Sequence, residues 1–164
     1  MRNLATTIVT GCLLVSALSR AGDTDKVVVG RELGSVLAWR LGPEAVEEVC
    51  RSLDPDGAEA RAKALKTWLE KNAALIQEVD ERVAEVVPLA FPPRENVDAV
   101  QAVRGQVRKI VLEPMRSAGS PEDVVAMCKT LADPANPRWN SNGMPHVVEG
   151  LAALYDWKVQ RTAK

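Results

Sequence analysis

The side chains that could perform acid–base or metal chemistry are few in this sequence. Its single histidine, His146, follows Pro145 at the start of a predicted helix. An activated nucleophile needs a neighbouring base, and no G-x-S-x-G or phosphate-loop motif is present. Structural zinc usually takes four nitrogen or sulfur ligands. A single histidine and two cysteines that are joined to each other cannot supply that number. We therefore assign no catalytic residue, no metal site and no cofactor.

The three cysteines divide into one in the N-terminal segment, Cys12, and two in the remaining chain, Cys50 and Cys128. Cys50 and Cys128 lie on the apolar stripes of two different predicted helices. Export to an oxidising compartment favours closure of such a pair. We predict a Cys50–Cys128 disulfide, and the alternative is two separate buried thiols.

Residues 1–21 have the layout of a secretory signal peptide. Arg2 is followed by an uncharged stretch over residues 4–18, and Ala17 or Ala21 could close a cleavage site. This stretch is shorter than the roughly 20 residues that span a membrane. We expect export, with residues 22–164 forming a single helical domain without a stable membrane span.

An alternative targeting signal is the segment Val9-Thr10-Gly11-Cys12, which has the pattern of a lipobox. Lipid attachment at Cys12 would anchor the protein to a membrane. The short uncharged run before Cys12 and the apolar run after it argue against this reading, as they do not match a lipoprotein leader followed by a polar tether. An uncleaved membrane anchor is a further alternative.

Composition indicates a globular helical protein. Hydrophobic residues make up 46% and charged residues 26% of the chain, and its net charge is −1. Without residues 1–21, which hold two arginines and no acid, the net charge becomes −3. There is no basic stripe, so we expect no nucleic-acid partner. Abundant Ala, Leu, Glu, Arg and Lys favour helix over strand, and the Ala, Val and Arg usage favours a bacterial, periplasmic source.

Apolar spacings of three and four residues predict an all-α, compact bundle of five to six helices with one inter-helix disulfide. The predicted helices cover residues 24–41, 43–53, 58–87, 95–113, 121–131 and 145–162. Gly42-Pro43 separates the first two, and Asp54-Pro55-Asp56-Gly57 precedes the third. Ser120 is the predicted N-cap of the fifth helix. Val147, Val148, Leu151, Leu154, Tyr155 and Val159 are the predicted interior residues of the last.

The third predicted helix carries a heptad-like seam and is expected to form the spine of the bundle. Its members are Leu65, Leu69, Asn72, Ile76, Val79, Val83 and Val86. Asn72 interrupts this seam with an amide. Either Asn72 bonds a group inside the bundle, or it forms a polar spot in a groove together with Trp68.

The segment over residues 133–145 holds three prolines, three asparagines and one glycine, so it cannot be regular helix. Loops of this length are uncommon unless they bind something or are disordered. Trp and Arg are enriched at interface hot spots. We therefore predict a partner-binding site at Arg138, Trp139, Asn140 and His146. The alternative is that Trp139 folds back and closes one end of the bundle.

These observations favour an exported, non-catalytic binding protein of the bacterial envelope. Its partner would be another envelope protein or a secreted effector, which it would neutralise as an inhibitor or immunity-type protein, or serve as an adaptor. The alternative is a carboxylate-dependent hydrolase acting on cell-wall or small-molecule substrates. That alternative requires two Asp or Glu side chains that face one cleft.

Overall fold

The computed structural model describes residues 24–91, 98–133, 135, 136, 139 and 144–163. Over these residues the chain forms seven α-helices and no strand, which confirms the predicted all-α bundle. They are α1 (Thr24–Leu53), α2 (Ala58–Lys71), α3 (Ala73–Ala90), α4 (Ala99–Val111), α5 (Glu113–Arg116), α6 (Pro121–Leu131) and α7 (Met144–Thr162). The predicted signal peptide with Cys12, and also Arg138 and Asn140, lie outside the described residues.

The central element is α1, and it corrects two expectations. It continues through Pro43, where the sequence predicts a break between two helices, and it contacts α2, α3, α4, α6 and α7. A proline inside a helix costs about 3 kcal/mol. Apolar residues on both sides of Pro43, such as Leu37 and Val46, are buried in the core and offset that cost. The spine of the bundle is therefore α1 rather than the predicted third helix.

The predicted third helix is two helices, because the backbone departs from helical geometry at Asn72 (φ −105°, ψ 10°). The Asn72 side-chain amide Nδ2 donates a hydrogen bond of 2.8 Å to the carbonyl of Trp68, and the side chain is buried. Asparagine side chains compete in this way with regular helix hydrogen bonds. Asn72 thus bonds a group inside the bundle, which was the first of the two alternatives that the sequence left open.

Two helices begin at side-chain caps. The Asp98 carboxylate accepts hydrogen bonds from the backbone of Val100 and Gln101, so α4 begins at Ala99 rather than at the predicted residue 95. The Ser120 hydroxyl accepts from the Asp123 amide at 3.1 Å, which confirms the predicted cap of α6. Pro88 does not end α3 at the predicted residue 87, because the helix continues two residues beyond this proline to Ala90.

The core consists of two clusters. The first joins α1, α3, α4 and α7, and the second joins the C-terminal half of α1 to α2, α5 and α6. The buried residues of the first cluster are Val29, Leu33, Val36, Leu37, Val79, Val83, Val86, Val87, Ala90, Val107, Val147, Leu151, Leu154 and Trp157. Those of the second cluster are Ala45, Val46, Cys50, Ala64, Trp68, Leu112, Met115, Val124, Cys128, Leu131 and Trp139.

The predicted disulfide lies inside the second cluster and is confirmed. It joins Cys50 on α1 to Cys128 on α6, with 5.3 Å between their Cα atoms. Both cysteines are fully buried. The bond ties α6 to the central helix across 78 positions of sequence.

The last helix buries a narrower face than its sequence predicts. Val148, Tyr155 and Val159, which are predicted to lie inside, are 54%, 50% and 44% exposed. The buried stripe consists of Val147, Leu151, Leu154 and Trp157. The three steps between them, of four, three and three residues, keep to one side of α7, and the three exposed residues lie beside that side.

A candidate binding site around three tryptophans

Trp39 of α1 and Trp68 of α2 form an aromatic pair in the second cluster. Their ring centroids are 5.0 Å apart and the ring planes are tilted by 55°. Such tilted arrangements match the electrostatic preference of aromatic rings. Trp68 is 3% exposed, whereas Trp39 is half-buried. The pair places one rigid aromatic wall between α1 and α2.

Trp139 adds a second wall from the segment that follows α6. Its indole Nε1 donates a hydrogen bond of 2.8 Å to the carbonyl of Leu131, and its side chain is buried against the second cluster. Its backbone amide donates to the Asn136 carbonyl, and the Asn136 side chain donates to Thr130 on α6. Asn136 and Trp139 are therefore both hydrogen-bonded to α6, and Trp139 packs on the second cluster.

Two cavities flank Trp68 and Trp139 and share these side chains as walls. The first, here called the inner cavity, has a volume of about 280 Å³ and is bounded on α1 by Trp39, Gly42 and Pro43. The absence of a side chain at Gly42 leaves room there. Nearly all the lining is apolar or aromatic, which is typical of small-molecule and anchor-residue sites.

The second, here called the lysine-rimmed cavity, has a volume of about 370 Å³. Ala60, Ala64 and Ala132 are among its apolar lining residues, together with the two tryptophans. Among the residues that the structure describes, the polar rim of this cavity comes from α2. The exposed rim residues, spaced by four, are Lys63, Thr67 and Lys71.

A buried charge cluster joins the start of α2, beside these cavities, to the end of α1. Arg61 of α2 is fully buried, donates from Nε to Glu47 at 2.9 Å and forms a second ion pair with Asp54. Its Nη2 also donates to the carbonyls of Cys50 and Asp54, at 3.1 and 2.6 Å. A Cβ atom at Gly57 would collide with Asp54 and Arg61. The cluster thus fixes α2, and with it Trp68, against the disulfide-bearing end of α1.

Of the six residues that the sequence singles out for binding, four lie in the described ranges, and the structure brings two of these four together. Trp68 and Trp139 share both cavities, while the Asn72 amide is occupied within its own helix. His146 lies on α7 with its side chain 85% exposed, 3.9 Å from Glu149, and lines neither cavity. Its neighbour Val147 belongs to the first cluster, whereas Trp139 belongs to the second.

The sequence singles out neither Trp39 nor Arg61, and it does not single out the two rim lysines, Lys63 and Lys71. A signal for Arg61 does exist, because it lies one heptad before Trp68 and therefore on the buried phase of α2. The lysines give no such signal, because exposed lysines are common on the surfaces of helices. The cavity beside them exists because of where Trp139 packs, which the sequence of α2 does not indicate.

A shallower groove of about 250 Å³ lies between α3 and α7. Glu78 and Asp156 both line it, and the Arg82 guanidinium lies 4.8 Å from the centre of the Tyr155 ring beside them.

Within the described ranges, no three His, Cys, Asp or Glu side chains lie together as a metal site would require. None of the helices in those ranges has the length and apolarity needed to cross a bilayer.

Comparison of the chain with protein-family models, with curated proteins and with solved structures finds no match in any of the three.

Proposed function

We propose that this is an exported, non-catalytic binding protein that holds an apolar group of its partner at the cavities beside Trp68 and Trp139. The observation that carries the proposal is that two cavities share these two rigid aromatic walls. Aromatic side chains offer a large contact area and lose little entropy when a partner binds. The buried disulfide and the Arg61 cluster hold the walls in place before binding, which lowers the ordering cost.

The partner we favour is a protein of the envelope or a secreted effector, bound in the manner of an inhibitor, immunity protein or adaptor. A benzophenone amino acid at Thr67, on the cavity rim, tests this proposal in cells that produce the full chain. We expect one cross-linked protein, competed away by unmodified protein. The matched control is the same probe at Gln101, which is exposed on α4. The same products at both positions would contradict the proposal.

Export is the second part of the proposal. The uncharged stretch over residues 4–18 supports it, as does a disulfide of the kind that persists in oxidising compartments. The intact mass of the protein recovered from cells tests it. A chain beginning at Leu18 or Gly22 indicates signal cleavage, and a chain beginning at a lipid-bearing Cys12 indicates the anchored alternative. A chain that retains its first residues in the cytoplasm would contradict export.

The groove lined by Glu78 and Asp156 favours one second candidate function, a carboxylate-dependent hydrolase. Two carboxyl groups on facing helices are the minimum that such chemistry requires. Release of soluble fragments from purified cell-wall polymer tests it. Activity in the unmodified protein, lost in both Glu78→Gln and Asp156→Asn, would support the hydrolase, and inactivity of the unmodified protein on this polymer would oppose it.

A further inference from the structure

The lysine-rimmed cavity combines an apolar interior with a rim of one charge sign. Trp68, Trp139 and three alanines supply its apolar lining, and Lys63 and Lys71 are the charged residues that line it within the described part of the chain. The two lysines are eight residues apart on α2, about 12 Å along the helix axis. They stand on either side of the Thr67 hydroxyl at the open edge.

The two rim lysines are not held in ion pairs within the described part of the chain. Lys66, one position away from Thr67, lies near Glu70 at 3.9 Å, and Arg40, Arg82 and Lys158 also have carboxylate partners. No ion pair is formed by Lys63 or Lys71 in the described ranges. Two ammonium groups without counterions beside an apolar cavity favour a ligand that carries a negative charge next to an apolar body.

We propose that this cavity binds a single-chain anionic amphiphile. Its apolar chain lies against Trp68 and Trp139, and its carboxylate is held at the rim by Lys63 and Lys71. A volume of about 370 Å³ is near the lower end for ligand sites, which suits one alkyl chain rather than a two-chain lipid. This inference rests on the proposed function, since both place the bound group against the same two tryptophans.

Titration of the full, oxidised protein with decanoate, decanol and decyltrimethylammonium tests the proposal, by calorimetry and tryptophan fluorescence below the concentrations at which these compounds form micelles. We expect decanoate to bind about tenfold or more tightly than decanol, because charge-assisted contacts are worth that much. Decyltrimethylammonium should bind more weakly than decanol. Higher salt should weaken decanoate binding and leave decanol binding unchanged.

The double substitution Lys63→Gln and Lys71→Gln should bring decanoate affinity to the decanol value. Lys66→Gln is the matched control, because it removes an equally exposed lysine from the same helix away from the cavity. Thermal unfolding followed by circular dichroism checks that each variant keeps its fold. Equal affinity for the three compounds, or equal effects of the double substitution and the control, would overturn the proposal.

The two proposals can fail separately. Absence of decanoate binding together with a specific cross-link at Thr67 would overturn the amphiphile and leave the protein partner in place. Absence of both would overturn the amphiphile and the proposed binding function together. Decanoate binding that depends on the two lysines supports the amphiphile, whether or not a protein is also captured.

Discussion

The indole of Trp139 donates its hydrogen bond to the carbonyl of Leu131, eight positions earlier in the chain and in the last turn of α6. The last carbonyls of a helix have no partner within that helix. Trp139 therefore satisfies one of them while its ring closes the second cluster. The same side chain links the end of α6, the core and both cavities.

Substitution of Trp139 should separate its hydrogen bond from its packing. Trp139→Phe keeps an aromatic ring and loses the bond, so we expect a loss of about 1 kcal/mol in the free energy of unfolding. Trp139→Ala also empties the buried site and should cost about 3–5 kcal/mol. Urea unfolding measures both. An alanine variant as stable as the parent would contradict the packed position of Trp139, and one that is destabilised yet still binds would restrict Trp139 to closing the bundle.

Replacement of Arg61 should be the most damaging single change at a charged residue. Arg61→Met leaves the buried Asp54 without Arg61 and leaves Glu47 with Arg51, 3.6 Å away, as its remaining partner, and breaking such a cluster costs about 3–5 kcal/mol. Arg116→Met, at an exposed position on α5, is the control and should change stability by about 0.5 kcal/mol or less. Equal unfolding midpoints in urea for the two variants would show that the cluster does not stabilise the fold.

Removal of the disulfide should lower stability by an amount set mainly by the loop that it closes. For a separation of 78 positions, the chain-entropy estimate is about 4.5 kcal/mol, an upper figure. The double substitution Cys50→Ala and Cys128→Ala should approach this loss in urea unfolding without reductant. Reductant should lower the midpoint of the parent and leave that of the double variant unchanged. An unaltered midpoint in the parent would count against a closed bond in solution.

The ion pair between Lys158 and Glu85 should give stability a specific pH dependence. The hydrogen bond from Lys158 lowers the pKa of the Glu85 carboxyl below its ordinary value of 4.5, against a smaller opposing effect of burial. A carboxyl whose folded-state pKa is lowered stabilises the fold above its unfolded pKa, and that contribution is lost as the pH falls through the folded value. The stability difference between the parent and Glu85→Gln should therefore be largest above pH 4.5 and shrink below it.

The control for this pH series is Glu59→Gln, which removes an exposed carboxyl that has no ion pair in the described ranges. Thermal unfolding of the three proteins across the acidic range provides the measurement. A difference between the parent and Glu85→Gln that stays constant over this range would exclude the assignment.

Local sequence patterns predict those features of this fold that depend on neighbouring residues. The Ser120 cap, the bounds of α6 and the cysteine pair follow from spacing and from capping chemistry. Pro43 predicts a helix break that does not occur. The buried apolar residues on both sides of it keep the helix continuous, although a proline inside a helix is locally unfavourable. At Asn72 the error is the opposite one, because the apolar spacing predicts a continuous helix and the structure has a break. The buried Asn72 amide bonds the carbonyl of Trp68 at this break.

The candidate site depends on contacts between distant residues, and the sequence predicts it only in part. Trp68 and Trp139 could be chosen by residue type, since large aromatic residues are scarce in this chain. Their meeting depends on the hydrogen bonds that Asn136 and Trp139 donate to the last carbonyls of α6. Helical spacing places Arg61 on the buried phase of α2, but it does not predict its partner Asp54, which the turn at Gly57 places beside it.

The disulfide also determines what happens to the chain after it is cut. Cys50 lies near the end of α1 and Cys128 near the end of α6, so most of the chain between α1 and α7 lies within the covalent ring that they close. A protease that cleaves one peptide bond anywhere between these cysteines leaves two fragments that stay joined. A nicked molecule would keep its full mass until it met a reductant, and the central helix would remain attached to the half of the protein that carries Trp139.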